Sequence, residues 1–345
     1  MRSYSIRSLK RVRLMGRFDK EAQGFGMLYN GASAEMRIKG SCLDVEIEAR
    51  QGGLRHYISF VVDGLVAQTF SPLPGKQVYT VFLNMDPSKT HDVLILKETM
   101  DFLDTSCVTL HRVMTDGKFM PLKKKATRIE FIGDSITAGE GVRGPKKFSE
   151  WLPMAFGTYE SYSRLAAEKL RAVYQNVAVS GWGIHNSWDN YPQRNLPSIY
   201  DQLSLSLPKP YDFDFDPDAV VIALGTNDNG SLNNPAGTDE NGTPFRLTRD
   251  AAGFAMVHDS ALAFLRHLHE VNSRARLLWI LFHASGMVHD AIEKAVSEAA
   301  AEGIDVRFDV PILLDRLPRG GMGSRLHPGP VAHRVIAARV AELLK

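Results

Sequence analysis

Hydrophobic and polar positions alternate with period two along the first 115 or so residues. Leu43-Asp44-Val45-Glu46-Ile47-Glu48 is the strictest run. It puts Leu43, Val45 and Ile47 on one buried face and the carboxylates in water, as a half-buried strand requires. Tyr57 to Val62 forms a second such run, and Asp63-Gly64 after it has the residues of a tight hairpin turn. Val12–Phe18, Met36–Lys39, Gln77–Leu83, Val93–Lys97 and Val108–Val113 are further short candidates. Turn residues such as Ser71-Pro72 and Asp86-Pro87 separate them, and no segment of helical period interrupts the series. The pattern predicts an antiparallel sandwich or jelly roll over residues 1–120.

Asp116 to Ala126 is irregular and contains Lys123-Lys124-Lys125. It reads as a solvated link between two domains. From Thr127 the period changes. Apolar strands are expected at Ile129–Ile132, Val177–Val179, Ala219–Leu224, Leu277–Phe282 and Val306–Val310. Between them lie helical faces: Tyr162, Leu165, Ala166, Leu170, Val173 and Tyr174; Phe254, Val257, Ala261, Phe264, Leu265 and Leu268; Ile292, Val296 and Ala299. Val331, Val335, Ile336, Val340 and Leu343 mark a terminal helix with Pro330 in its first turn. Strands alternating with helices predict a three-layer α/β domain over residues 127–345, built on a parallel sheet. In such sheets the working residues gather at the carboxyl ends of strands. Gly133-Asp134-Ser135, Ser180-Gly181-Trp182-Gly183 and Gly225-Thr226-Asn227-Asp228 all fall there.

Composition narrows the function classes. The 345 residues are 44% hydrophobic, enough for a substantial core. Lysine and arginine number 41 against 39 acidic residues, a net charge of +2, which gives no electrostatic reason to expect nucleic acid or an anionic membrane as partner. The two cysteines, Cys42 and Cys107, make no disulfide framework, and no metal-ligand motif is present, so neither metal nor cofactor is expected. The basic N-terminus is not followed by an apolar signal core, and no stretch approaches ~18 apolar residues. The expectation is a soluble cytoplasmic chain, or a secreted one whose leader has been removed.

Ser135 follows directly on a strand. A serine hydroxyl is a weak nucleophile and needs a base within hydrogen-bond reach. His327, in Leu326-His327-Pro328 just before the terminal helix, is the candidate base. A tetrahedral intermediate needs donors aimed at its oxyanion. The backbone N–H of Gly181, the side-chain amide of Asn227 and the backbone N–H of Ser135 are the candidates. Each residue alone has a plainer reading: Ser135 as a helix cap, Gly181 as a turn glycine, Asn227 and His327 as loop residues. Their joint placement at strand ends favours catalysis. Asp134, Gly183 and Asp228 read as structural, and His333 as packing within the last helix. Trp182 and Trp188, after the candidate oxyanion glycine, are tentative sugar-stacking residues.

GDSIT, SGWG, GTND and a late HP before a C-terminal helix, in that order, resemble the SGNH, or GDSL-like, hydrolase superfamily. The likeness implies Ser135 as nucleophile, Gly181 and Asn227 as oxyanion donors and His327 as base. No GxSxG elbow surrounds Ser135, unlike the alpha/beta-hydrolases. A β-rich half followed by RIEFIGDSITAGEG, together with VVDG and THDVLILKET, is similar to carbohydrate esterase family 2. That resemblance implies an N-terminal jelly roll and removal of acetyl groups from sugars, with acetylated carbohydrate as partner. One departure stands out. The acids that many superfamily members carry three residues before the histidine, or family 2 members two before it, are replaced by Ser324 and Arg325. Some family members make do with a dyad whose histidine is oriented by a backbone carbonyl, and that arrangement is expected here; the alternative is Asp315 as a substitute acid. Two rival readings are an esterase for a lipid, thioester or aryl ester, and a carbohydrate-binding protein with a vestigial site.

Overall fold

The computed structural model describes every residue except Gln51 and Thr105. The N-terminal half is a β-sandwich of two antiparallel sheets. One runs Arg2–Ser5, Cys107–Thr115, Leu43–Arg50, Gly75–Phe82, and Phe25–Gly26 also pairs with Cys107–Thr115. The other runs Lys118–Phe119, Ser33–Lys39, His91–Lys97, Ile58–Val62, Leu65–Phe70, with Val12–Met15 on the outer side of Ser33–Lys39. The alternation in 43–48 places Leu43, Val45 and Ile47 in a core shared with Ile38, Phe60 and Ile95 of the opposite sheet. Asp63 and Gly64 both take left-handed backbone angles, φ 53° and 83°, and close the hairpin between Ile58–Val62 and Leu65–Phe70.

The C-terminal half is a five-stranded parallel sheet in the order Ala172–Ala178, Thr127–Gly133, Ala219–Ala223, Arg276–Ile280, Val306–Asp309. The chain starts in the second position and winds both ways, so its direction reverses between Thr127–Gly133 and Ala219–Ala223. Ligand crevices in open α/β sheets form outside the strand ends at this reversal. Helices Ala251–Val271 and Met287–Ala301 bury Val257, Ala261, Leu265, Ile292 and Ala299 against one face. Helices Tyr162–Lys169 and Pro330–Leu343 cover the other with Ala166, Ile336 and Val340.

Three expectations need correction. The helix read from Tyr162 to Tyr174 ends at Lys169, because Arg171 turns the chain at φ 50° and Val173 and Tyr174 belong to the strand Ala172–Ala178. Leu65–Phe70 is a strand that the reading passed over; its mostly exposed side chains give it no apolar alternation. The basic link is strapped down: Lys118–Phe119 pairs with Ser33–Lys39, and Lys125 Nζ lies 2.9 Å from Glu35.

The two halves share buried polar contacts that shape the site. Arg17 is wholly buried. Its guanidinium reaches Glu130 of the parallel sheet at 3.2 Å, donates to the carbonyl of Tyr200 and lies 3.9 Å from the ring centroid of Tyr211. Glu98, fully buried at the end of the sandwich strand His91–Lys97, accepts from Arg143 at 2.7 Å and from the Tyr159 N–H at 2.9 Å. The Asn30 amide donates to Thr137 O at 3.1 Å, one turn from Ser135. Among the described residues no helix is long and apolar enough to cross a membrane.

Candidate active site

Thr127–Gly133 is buried on both sides at its C-terminal end and delivers the chain to a tight turn. Gly133 has no room for a side chain, since a Cβ there would lie 2.1 Å from Thr137 Oγ1. Asp134 caps the single-turn helix Ser135–Ala138 by accepting from the Ile136 N–H at 2.9 Å. Ser135 is therefore the first residue of a helix, where the backbone N–H has no intrahelical partner. Burial pushes the Asp134 carboxyl up to about 7, and the charges of Asp228 and Glu140 add to the rise.

His327 meets Ser135 from the far end of the sequence. Its Nε2 lies 2.8 Å from Ser135 Oγ, and its Nδ1 lies 2.8 Å from the carbonyl oxygen of Arg325. A carbonyl oxygen only accepts, so Nδ1 carries the proton and Nε2 is left free to accept from the serine hydroxyl. That is the tautomer a general base needs. Arg325 and Leu326 both take left-handed angles, φ 52° and 61°. This costly conformation for non-glycine residues forms the loop from which the carbonyl reaches the ring.

Gly181 and Asn227 stand at the ends of the two flanking strands. The Gly181 N–H has no acceptor among the described residues, and its φ of 83° suits glycine. Asn227 Nδ2 lies 3.0 Å from Trp182 O and 3.3 Å from Asp134 Oδ2. The second of these is long and can yield to a developing oxyanion. Asp228, wholly buried, accepts from the N–H groups of Ile184, His185 and Asn186 at 2.8 to 3.2 Å and so shapes the loop after Gly181. A Cβ on Gly183 would lie 2.1 Å from Asp228 Oδ2. His333 is buried in the terminal helix, accepting from the Tyr162 N–H at 3.0 Å and stacked on that ring.

Among the described residues no carboxylate hydrogen-bonds His327. Asp315 is exposed and pairs only with Arg316 among the described residues, so it does not substitute for the missing acid. Ser324 is turned to Gly141 O. The sequence reading missed Glu140, which lies under the site at 2% exposure, with Oε1 3.9 Å from His327 Nδ1. The signal was present: an acid between two glycines in Gly139-Glu140-Gly141, both at positive φ.

The two tryptophans separate. Trp182 is 8% exposed and packs into the core with Leu196, Ile199 and Leu232, so its ring offers no face to a sugar. This burial does not support the stacking role expected of Trp182, whose ring the loop turns inward. Trp188 is 52% exposed and lies against Gly181, where a Cβ would come within 2.9 Å of its Cδ1. Trp151 is edge-on to Phe102 of the sandwich and Phe156.

Residues 131–335 match the GDSL-like Lipase/Acylhydrolase family. The chain belongs to that family. Residues 14–121, which hold most of the sandwich, match the Carbohydrate esterase 2 N-terminal family. The chain is 28% identical over 219 residues to the Cellulase/esterase CelE of Acetivibrio thermocellus, a stretch that is 62% of this chain and 26% of that protein. It thus spans about a quarter of that relative's length. It is 28% identical over 275 residues, 78% of this chain and 72% of the other, to the Acetylxylan esterase / glucomannan deacetylase of Cellvibrio japonicus. Among solved structures, an acetyl xylan esterase (Est2A) from the rumen bacterium Butyrivibrio proteoclasticus superposes with a TM-score of 0.94 at 25% identity, covering 99% of this chain and 97% of that one. A family two carbohydrate esterase from Clostridium thermocellum, solved in complex with cellohexaose, has the same fold: TM-score 0.83, 22% identity, 97% of this chain and 98% of that one.

Proposed function

We infer that this GDSL-like protein is a serine esterase that removes O-acetyl groups from carbohydrate, with acetylated xylan or its oligosaccharides as substrate class. The observation that carries the reading is the hydrogen bond from Ser135 to an unprotonated His327 Nε2 at 2.8 Å, beside a Gly181 N–H that finds no acceptor among the described residues. Ser135 Oγ attacks the acetyl carbonyl carbon while Nε2 takes its proton. The oxyanion is held by the N–H groups of Ser135 and Gly181 and the Asn227 amide. Collapse expels the sugar oxygen, which takes the proton back from Nε2 and leaves as an alcohol. Water then attacks the acetyl-enzyme, Nε2 takes a proton from it, and acetate departs as Ser135 regains its own. The carbohydrate assignment is supported by the relatives named above and by the exposed indole of Trp188 next to Gly181.

The test is acetate release from acetylated xylo-oligosaccharides, with 4-nitrophenyl acetate as a second substrate, for the wild type and Ser135→Ala. Serine-dependent release from the sugar is the expected result. Turnover of the aryl ester alone would keep Ser135 as nucleophile and remove the sugar assignment. Equal activity in Ser135→Ala would remove the nucleophile.

A further inference from the structure

We propose that Glu140 and Arg325 together form a positioning unit for His327, in place of the carboxylate that the sequence lacks at positions 324 and 325. The proposal rests on the reading of Ser135 and His327 as nucleophile and base. Three observations carry it. Arg325 contributes twice: its carbonyl accepts from His327 Nδ1 at 2.8 Å, and its guanidinium donates to Glu140 Oε1. Glu140 Oε1 lies 3.9 Å from His327 Nδ1, too far for a hydrogen bond but within range of a charge interaction with a buried carboxylate. Glu140 Oε2 accepts from the hydroxyl of Ser180, the residue before Gly181.

One buried carboxylate therefore touches both the loop that holds the base and the loop that offers the oxyanion donor. A buried carboxylate is costly unless paired, and here the pairing fixes Arg325. With its guanidinium held on Glu140, the left-handed backbone of Arg325 aims its carbonyl at the imidazole. The loop has no slack on the other side, since a Cβ on Gly141 would lie 2.5 Å from Ser324 O. When Nε2 takes the serine proton the ring becomes a cation, and Glu140 favours it as Arg325 opposes it.

The titratable groups about His327 are Ser135 with Asp134 beside it, Glu140, Arg325, and His333 on the terminal helix. Burial holds His333 down to about 3, so it stays neutral wherever the base works. Glu140 and Arg325 are then the two charges whose removal moves the histidine in opposite directions.

The experiment is the pH profile of kcat/KM on 4-nitrophenyl acetate over about pH 5 to 9 for wild type, Glu140→Gln, Arg325→Gln and Glu140→Asp. In Glu140→Gln an unopposed guanidinium disfavours the imidazolium. The acidic limb moves to lower pH by about half to one unit, and kcat falls about tenfold with KM little changed. In Arg325→Gln an unopposed carboxylate moves the limb the other way by a similar amount. Glu140→Asp restores the limb towards wild type. Limbs that stay put, or that move together, overturn the proposal. Should Glu140→Gln fail to fold, Arg325→Gln decides alone, since this side chain is one-third exposed and its upward shift is diagnostic. A wild type whose turnover survives Ser135→Ala would instead overturn the reading of the site on which the proposal stands.

Discussion

Asn227 Nδ2 lies 3.3 Å from Asp134 Oδ2, so the side-chain candidate for the oxyanion hole is tethered in the resting site to the residue that caps the helix of Ser135. The carboxyl orients the amide before substrate arrives. Asn227→Ala should lower kcat by ~100- to 1,000-fold with the fold intact, the usual effect of losing one oxyanion donor. A loss of only a few-fold in steady-state kinetics would take Asn227 out of that role.

The same carboxyl sets a pH dependence of stability. Asp134 titrates at about 7 in the fold, against 3.8 when unperturbed. Between these values the native state binds the extra proton, so its stabilising contribution is full below about pH 4 and is lost as pH rises through 7. His333 works in the opposite sense. It titrates at about 3 in the fold against 6.5, so its contribution is present above 6.5 and is lost as pH falls towards 3. Tm measured from about pH 4.5 to 8 should therefore rise with pH more steeply in Asp134→Asn than in wild type. Parallel curves would contradict the burial of a neutral Asp134.

Gly183→Ala places a methyl group 2.1 Å from the carboxylate that organises the loop after Gly181. The loop must shift or Asp228 must leave its three N–H donors. The variant should lose about 2–4 kcal/mol in urea unfolding and most of its esterase activity. Wild-type stability with wild-type kcat would show that Asp228 does not fix this loop.

Trp188→Ala tests sugar recognition apart from chemistry. An exposed aromatic contact is worth roughly 0.5–1.5 kcal/mol. The variant should therefore raise KM for acetylated oligosaccharides by about 2- to 10-fold while leaving 4-nitrophenyl acetate nearly unaffected. Equal effects on both substrates would assign Trp188 to the shape of the Gly181 loop.

Arg17→Met takes from buried Glu130 its counter-charge and leaves it only the hydrogen bonds from Gln175 and Tyr200. It should cost about 3–5 kcal/mol. Arg17→Met combined with Glu130→Gln should recover part of that in a double-mutant cycle of chemical denaturation.

The pairing of Ser135 with His327 was legible only jointly: a serine at a strand end or a histidine ahead of a helix alone reads as a cap or a loop residue, and the four motifs in order single the two out. The alternation of 43–48 and the turn at Asp63-Gly64 were local signals. What the sequence hid was long-range or a matter of facing. Glu140 and Arg325 are 185 residues apart and meet only when the terminal helix docks. Trp182 and Trp188 sit in one loop with similar neighbours, and only the fold turns the first inward and the second out. Tyr174 continued a helical spacing from Tyr162 by coincidence, since a reversal at Arg171 leaves no mark on a pattern of apolar positions.

The charges buried along the seam bear on whether the two halves can be parted. Glu130 of the parallel sheet has its cation in the sandwich, and Arg143, in the loop beyond Ser135, has its nearer anion there, with Glu160 of its own half at 3.7 Å. A gene fragment carrying residues 127–345 alone would encode a catalytic half with Glu130 stripped of Arg17 and the 139–160 loop released from Glu98. The sandwich is thus not a detachable accessory. A catalytic half expressed alone should lose stability for want of the counter-charge to Glu130.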